Sequence, residues 1–364
     1  MDEPPPSNGY RIRTAQAHAQ GGPMLVLSLM TSAHLLGATP AARLDIRWDT
    51  SEADAALAIL EKGEAASPSD WKKLFRSKCF VRLEAREVAL GKTLGTPRTV
   101  DLEAFRRHLT NPEVRSQRAT FLRSLQEWKK TDLESLSRKV QRFLPTGSPQ
   151  SFTLCPMIKP QDNSFVFDLG GKEPSIFLYL DPNLTQPQFE VMVAHESHHV
   201  GLGGHKRPDL LAKVETQSQQ VQDACQWMGA FGEGFAMLAA AGGPDAHPHA
   251  VSKVEDRERW DRDIANFPQH FAELDAFFVS ILEGRLKGDA LRQQAARFYG
   301  PEQGPWYTVG YQMAVLVERH LGHARLLQCM EDPRLLPGAY EEATAKAGGT
   351  RPHWNAKLLE RLAF

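Results

Sequence analysis

The stretch from Gln188 to His205, QFEVMVAHESHHVGLGGH, constrains this chain more than any other, because it sets His195-Glu196-Ser197-His198-His199 on an apolar run. At ~100° of turn per residue, His195 and His199 stand about 40° apart on one helix face and one turn apart along it, so two imidazoles can bind one metal ion. Phe189, Val191, Met192 and Val193 lead into the motif, so the helix is expected to be buried. Buried imidazoles and carboxylates need hydrogen-bond partners or a metal. H-E-x-x-H is a zinc pattern: Zn2+ makes a water molecule acidic, and Glu196, on the adjoining arc, takes its proton. The competing readings are hydrogen-bonded structural histidines, or half of a di-iron site, which would need a second Glu-x-x-His that is not recognisable here.

A catalytic zinc keeps three protein ligands, so a third donor is required. His205 reproduces the outer spacing of H-E-x-x-H-x-x-G-x-x-H, but Leu202 stands where that pattern has glycine. Glu233 is the favoured alternative. It opens Gly232-Glu233-Gly234-Phe235-Ala236-Met237-Leu238-Ala239-Ala240, an otherwise uncharged small-residue helix, where a carboxylate either caps the helix or meets a metal. Asp209, Glu215 and Asp223 are lesser possibilities, read as solvated faces of a helical segment over 210–228.

The rest of the chain narrows the function by exclusion. A net charge of -1 and a pI near 6.9 create no field that would draw nucleic acid or an anionic membrane, and Lys72, Lys73, Arg76, Lys78 and Arg82 read as a solvated helix face. Cys79, Cys155, Cys225 and Cys329 form no C-x-x-C pair and dictate no disulfide framework. Residues 1–44 read as a disordered leader or secretory signal: a lead-in with Arg11 and Arg13, an apolar run over 24–37, and a small-residue exit at Ala41-Ala42. The run is too short for stable membrane insertion, and it favours a secreted or periplasmic protein over a cytoplasmic one.

Residues 45–145 read as a helical N-terminal region, with helices expected over 50–62, from Ser69, and over 101–109, 112–128 and 133–143. The Pro145-Thr146-Gly147-Ser148-Pro149 break then opens the presumptive catalytic region, 150–364. Within it, 164–168 and 175–180 alternate as two strands joined by a turn, and such a strand could be the edge along which an extended peptide pairs. Residues 256–286 read as one or two helices kinked around Pro268, with Phe271, Leu274, Phe277, Phe278 and Ile281 as a core stripe. The loop 242–249, with His247 and His249, reads as solvated.

The motifs HESHH and GEGFA, then Trp306-Tyr307-Thr308-Val309-Gly310-Tyr311-Gln312-Met313-Ala314 and Pro337-Gly338-Ala339-Tyr340, resemble an uncharacterised bacterial family of zinc-dependent peptidases. The resemblance runs from about residue 45 to 345, and the layout is similar to that of gluzincins, which bind zinc through two His and one Glu. It implies His195, His199 and Glu233 as ligands and Glu196 as general base, although the gap to Glu233 is longer than in the thermolysin group. An amide hydrolase also needs a donor for the oxyanion that develops in the transition state; Tyr307 and Tyr311, on the amphipathic run 306–321, and the neighbouring His198 are the candidates. The expectation is a mostly α-helical α+β, zincin-like protein that binds Zn2+ and acts on a peptide or protein substrate. A zinc-dependent hydrolase of another class, a metal-binding module, and a catalytically silent helical interaction protein are the alternatives.

Overall fold

The structure is a computed structural model that describes residues 44–364, apart from 95, 149–150, 169–170, 206 and 301–302. The leader expected over 1–44 therefore lies almost wholly outside the described residues. A four-stranded sheet is built from β1 (Asp45–Trp48), β2 (Ser151–Met157), β3 (Phe165–Phe167) and β4 (Ser175–Tyr179), in the order β1-β2-β4-β3. β1, β2 and β4 run parallel, and β3 closes one edge antiparallel to β4, with Val166 opposite Ile176. The hairpin of β3 and β4 matches the alternation in the sequence. The parallel strands β1 and β2 were not expected, and they join the chain on either side of the Pro145 break into one sheet.

The first helices are α1 (Ser51–Lys62), α2 (Pro68–Phe75), α3 (Lys78–Leu94), α4 (Leu102–Thr110), α5 (Pro112–Ser116), α6 (Arg118–Trp128) and α7 (Leu133–Gln141). The single helix expected over 112–128 is broken at Gln117, which closes α5 and precedes α6. Period-two alternation along the strands supplies both sides of the sheet. Phe152, Leu154, Ile176 and Leu178 face a core shared with α1, α6 and α7, while Cys155, Met157 and Phe177 face Cys79, Phe80, Leu83 and Phe105. A disulfide between Cys79 and Cys155 ties α3 to β2. Both faces are covered, as parallel strands require.

α8 (Gln186–Gly204) follows β4. A capping box starts it, with Gln188 Oε1 accepting from the Thr185 backbone N (3.0 Å) and from Thr185 Oγ1 (2.9 Å), and Pro187 sits in the first turn. Phe189 is stacked between Trp48 and Trp128, at 5.5 and 4.6 Å between ring centroids. Trp128 Nε1 also donates to the Leu184 carbonyl at 3.2 Å, so the start of α8 is pinned to the sheet and to α6.

The second half is helical: α9 (Pro208–Glu215), α10 (Gln219–Met228), α11 (Gly232–Ala241), α12 (Val254–Ala265), α13 (Phe267–Leu282), α14 (Gly288–Arg297), α15 (Pro305–Leu321), α16 (His323–Glu331), α17 (Leu335–Ala347) and α18 (Ala356–Leu362). The segment expected over 210–228 is two helices, and Pro268 opens α13 rather than kinking a longer helix. The stripe of Phe271, Leu274, Phe277, Phe278 and Ile281 is core, as expected. α11 is buried on every side from Gly232 to Ala240, which suits an apolar helix lying between α8 and α15. No helix among the described residues is long and apolar enough to cross a membrane.

Candidate metal centre

The centre lies where the sheet-side core, which includes α8, meets the helical core, which includes α11 and α15. His195 and His199 project from successive turns of α8, and Glu233 projects from the first turn of α11. Their ligand atoms converge: His195 Nε2 to His199 Nε2 is 3.0 Å, His199 Nε2 to Glu233 Oε2 is 3.1 Å, and His195 Nε2 to Glu233 Oε2 is 3.2 Å. Among the described residues this is the one group of three His, Cys, Asp or Glu side chains close enough to hold a metal ion. Donors on a tetrahedral zinc, each at ~2.0–2.1 Å, are about 3.3 Å from one another, so the spacing and the two-imidazole, one-carboxylate chemistry fit that ion.

Electrostatics agree with the geometry. Burial works against ionisation of Glu233, but the charge and hydrogen bonds of His199 and His195 hold its carboxyl below the usual range. Burial disfavours a charged His199 as well, yet Glu233 beside it raises the imidazole to about 9, whereas His195 is pushed down chiefly by burial. The three donors thus hold a positive charge at their centre when only a proton is available. The N-terminal end of α11 adds a favourable dipole for the Glu233 carboxylate.

Glu196 is fully buried, and neither carboxyl oxygen has a hydrogen-bond partner among the described residues. Burial is the main cause of its carboxyl rising to about 8, with Glu233 adding to it and His199 opposing it. A carboxyl left this way in a packed helix is costly unless it serves something that enters the site. The Tyr307 ring lies nearly parallel to that of His195, with centroids 6.2 Å apart, and steadies that imidazole.

Other residues singled out in the sequence stand elsewhere. His205 ends α8 and meets Glu331 Oε1 at 3.2 Å, so it is not part of the centre. His198 turns toward α7, with Nε2 at 3.0 Å from the Phe143 carbonyl, and burial pushes its imidazole down to about 3. Tyr311 donates its hydroxyl to the Ala246 carbonyl at 3.3 Å. Asp223 accepts from Gln219, and neither it nor Asp209 nor Glu215 belongs to the cluster. None of His198, Tyr307 and Tyr311 lines the cavity that reaches His195 of the cluster.

That cavity, of about 60 Å³, is bounded by the α8 face of Gln188, Val191, Met192 and His195, by Met237 of α11, and by Pro248, His249, Val251 and Ser252. Asp256, Arg259 and Gln303 complete it, and through Arg259 and Gln303 it adjoins a wider hollow of about 670 Å³ between α12, α13 and α14. His249 and Gln303 were not expected here. The sequence signal for His249 was its place in an H-x-H loop, which reads as solvated; Tyr311 and Arg319 instead bind the loop carbonyls at Ala246 and Pro244 and hold it down.

Residues 72–348 match the family described as "Putative zinc dependent peptidase (DUF5700)". The chain belongs to this family. No curated protein and no solved structure matches it. The DUF5700 match begins within α2 and takes in α3 through α17, so β2, β3, β4, the H-E-x-x-H helix and Glu233 fall within it, while β1 precedes it.

Proposed function

We propose that this DUF5700 protein is a zinc-dependent metallopeptidase of zincin-like, gluzincin-type layout, with His195, His199 and Glu233 as the residues that hold Zn2+. The single observation that carries the reading is the convergence of these three ligand atoms within 3.0–3.2 Å, one residue along α8 from a buried carboxyl with no hydrogen-bond partner among the described residues. Bound zinc would supply a Lewis acid for the substrate carbonyl and render a water molecule acidic near neutral pH. Glu196 takes the proton of the attacking water and passes it to the leaving amine nitrogen. The face of α8 from Gln188 to His195 provides an apolar wall for the peptide, and the adjoining hollow accommodates the chain beyond it. The Cys79–Cys155 disulfide supports a secreted or periplasmic setting, where such bonds persist.

Two measurements test the reading. Metal analysis of purified protein is expected to find about one zinc per chain in the wild type and in Glu196→Gln, and far less in His199→Ala and Glu233→Ala. Against a mixed peptide library read by mass spectrometry, Glu196→Gln should lose roughly 10²–10⁴-fold in turnover. Equal zinc in His199→Ala and wild type, or undiminished cleavage by Glu196→Gln, would refute it.

A further inference from the structure

The wall of the cavity across from α8 carries a short chain of hydrogen bonds, half-buried at Ser252 and buried at Gln303. Ser252 Oγ lies 3.0 Å from His249 Nδ1, and His249 Nε2 lies 2.6 Å from Gln303 Oε1. His249 is 7% exposed and Gln303 8%, and both line the cavity with His195. With its carboxamide oxygen taken by His249, Gln303 turns its NH2 group the other way. There the acceptor it meets among the described residues is the Met237 sulfur, at 3.7 Å.

A thioether is a weak acceptor, so a buried amide donor is left poorly satisfied. Met237 stands one turn after Glu233 on α11, which puts this donor beside the metal centre. Val191, Met192, Pro248 and Val251 in the lining are apolar and Gln188, Asp256 and Arg259 polar, and the acceptor oxygen that would suit so mixed a cavity is one on a chain that alternates amides with side chains: a peptide carbonyl. We propose that the Gln303 carboxamide hydrogen-bonds a backbone carbonyl of the bound peptide next to the cleaved bond. His249, backed by Ser252, is the positioning residue that fixes which way the carboxamide faces. The inference rests on the peptidase reading and adds the group that sets the peptide's register in the cleft.

The test uses zinc-loaded Glu196→Gln protein and a fluorescein-labelled hexapeptide, Ala-Ala-Leu-Leu-Ala-Ala, with affinity read by fluorescence anisotropy. Adding Gln303→Met, which keeps the side-chain volume and removes the donor, should weaken binding about tenfold without changing zinc content, while Tm falls because the buried His249 Nε2 loses its acceptor. Peptides with one amide at a time replaced by an alkene identify the carbonyl: one analogue should lose about tenfold on the Glu196→Gln protein and nothing further on the double variant. His249→Leu should weaken binding by a similar factor, with no additional loss when combined with Gln303→Met. Equal hexapeptide affinity with and without Gln303→Met overturns the Gln303 assignment and leaves the peptidase reading standing. Failure of the hexapeptide to bind either protein at full zinc occupancy overturns both.

Discussion

Replacing Gly234 by alanine adds one methyl group, and the structure says where it goes. A Cβ at this position would lie 2.2 Å from the carbonyl carbon of Gly310 and 2.2 Å from the backbone N of Tyr311. Carbon contacts settle near ~3.5–4.0 Å, so α11 and α15 would have to separate by roughly 1.3 Å, and because both partners are backbone no rotamer change can absorb it. Glu233 is the neighbouring residue on α11. A shift of that size would displace its Oε2, now 3.1–3.2 Å from the two imidazoles, by roughly 1 Å relative to them, past the ~0.2 Å tolerance of a metal site. Zinc affinity should fall by ~100-fold or more. Alanine gains up to ~1 kcal/mol in helix propensity, against an overpacking cost at the upper end of ~1–3 kcal/mol because both partners are backbone, so a net loss of up to about 2 kcal/mol is expected. Gly232→Ala is the control, because a Cβ there meets nothing within 4 Å while the propensity gain is the same. Calorimetry of the two variants, with zinc titration against a competing chelator, separates the effects. Equal Tm and equal zinc affinity in Gly234→Ala and Gly232→Ala would refute the close crossing of α11 and α15 as the feature that places Glu233.

Two further outcomes follow from buried groups away from the centre. Glu52 is fully buried with Oε2 accepting from the Ile158 backbone N at 3.2 Å, and burial, opposed by that bond and by Lys159, pushes its carboxyl up to about 8. A raised carboxyl pKa means the folded state holds a proton that the unfolded chain releases above ~4.5, so this contribution to stability is full below that pH and is lost as pH rises to about 8. Glu52→Gln should flatten the pH dependence of urea unfolding across that window, by up to ~5 kcal/mol; an unchanged profile would contradict the buried acid. The Cys79–Cys155 bond spans 76 residues, and Cys79→Ala/Cys155→Ala should lose about 4 kcal/mol in the loop-entropy account, with dithiothreitol lowering the wild-type midpoint toward that of the variant.

Local spacing made α8 readable. His195 and His199 one turn apart, the apolar approach through Phe189 and Val193, and the Thr185–Gln188 cap are all short-range features, and helical geometry fixes their relative directions before any partner is present. Alternation likewise exposed β3 and β4. What stayed hidden depends on what stands opposite. β1 has four residues and pairs with β2 more than a hundred positions away, so neither strand carries a turn or hairpin signal of its own. His198 points off the same helix as His195, but it meets the Phe143 carbonyl of a preceding segment. His249 lay in what looked like a solvated loop until Ser252 and Gln303 satisfied both ring nitrogens.

By itself the chain determined that two imidazoles and a carboxyl would share one helix, because 3.6 residues per turn is a property of the backbone. Whether an acid 34 positions later completes the set was decided only by packing, through a glycine at 234 narrow enough for α11 to lie against α15 while holding Glu233 toward α8. The angular relation within a helix is covalent and local, whereas the distance between helices is set by the side chains that happen to lie between them.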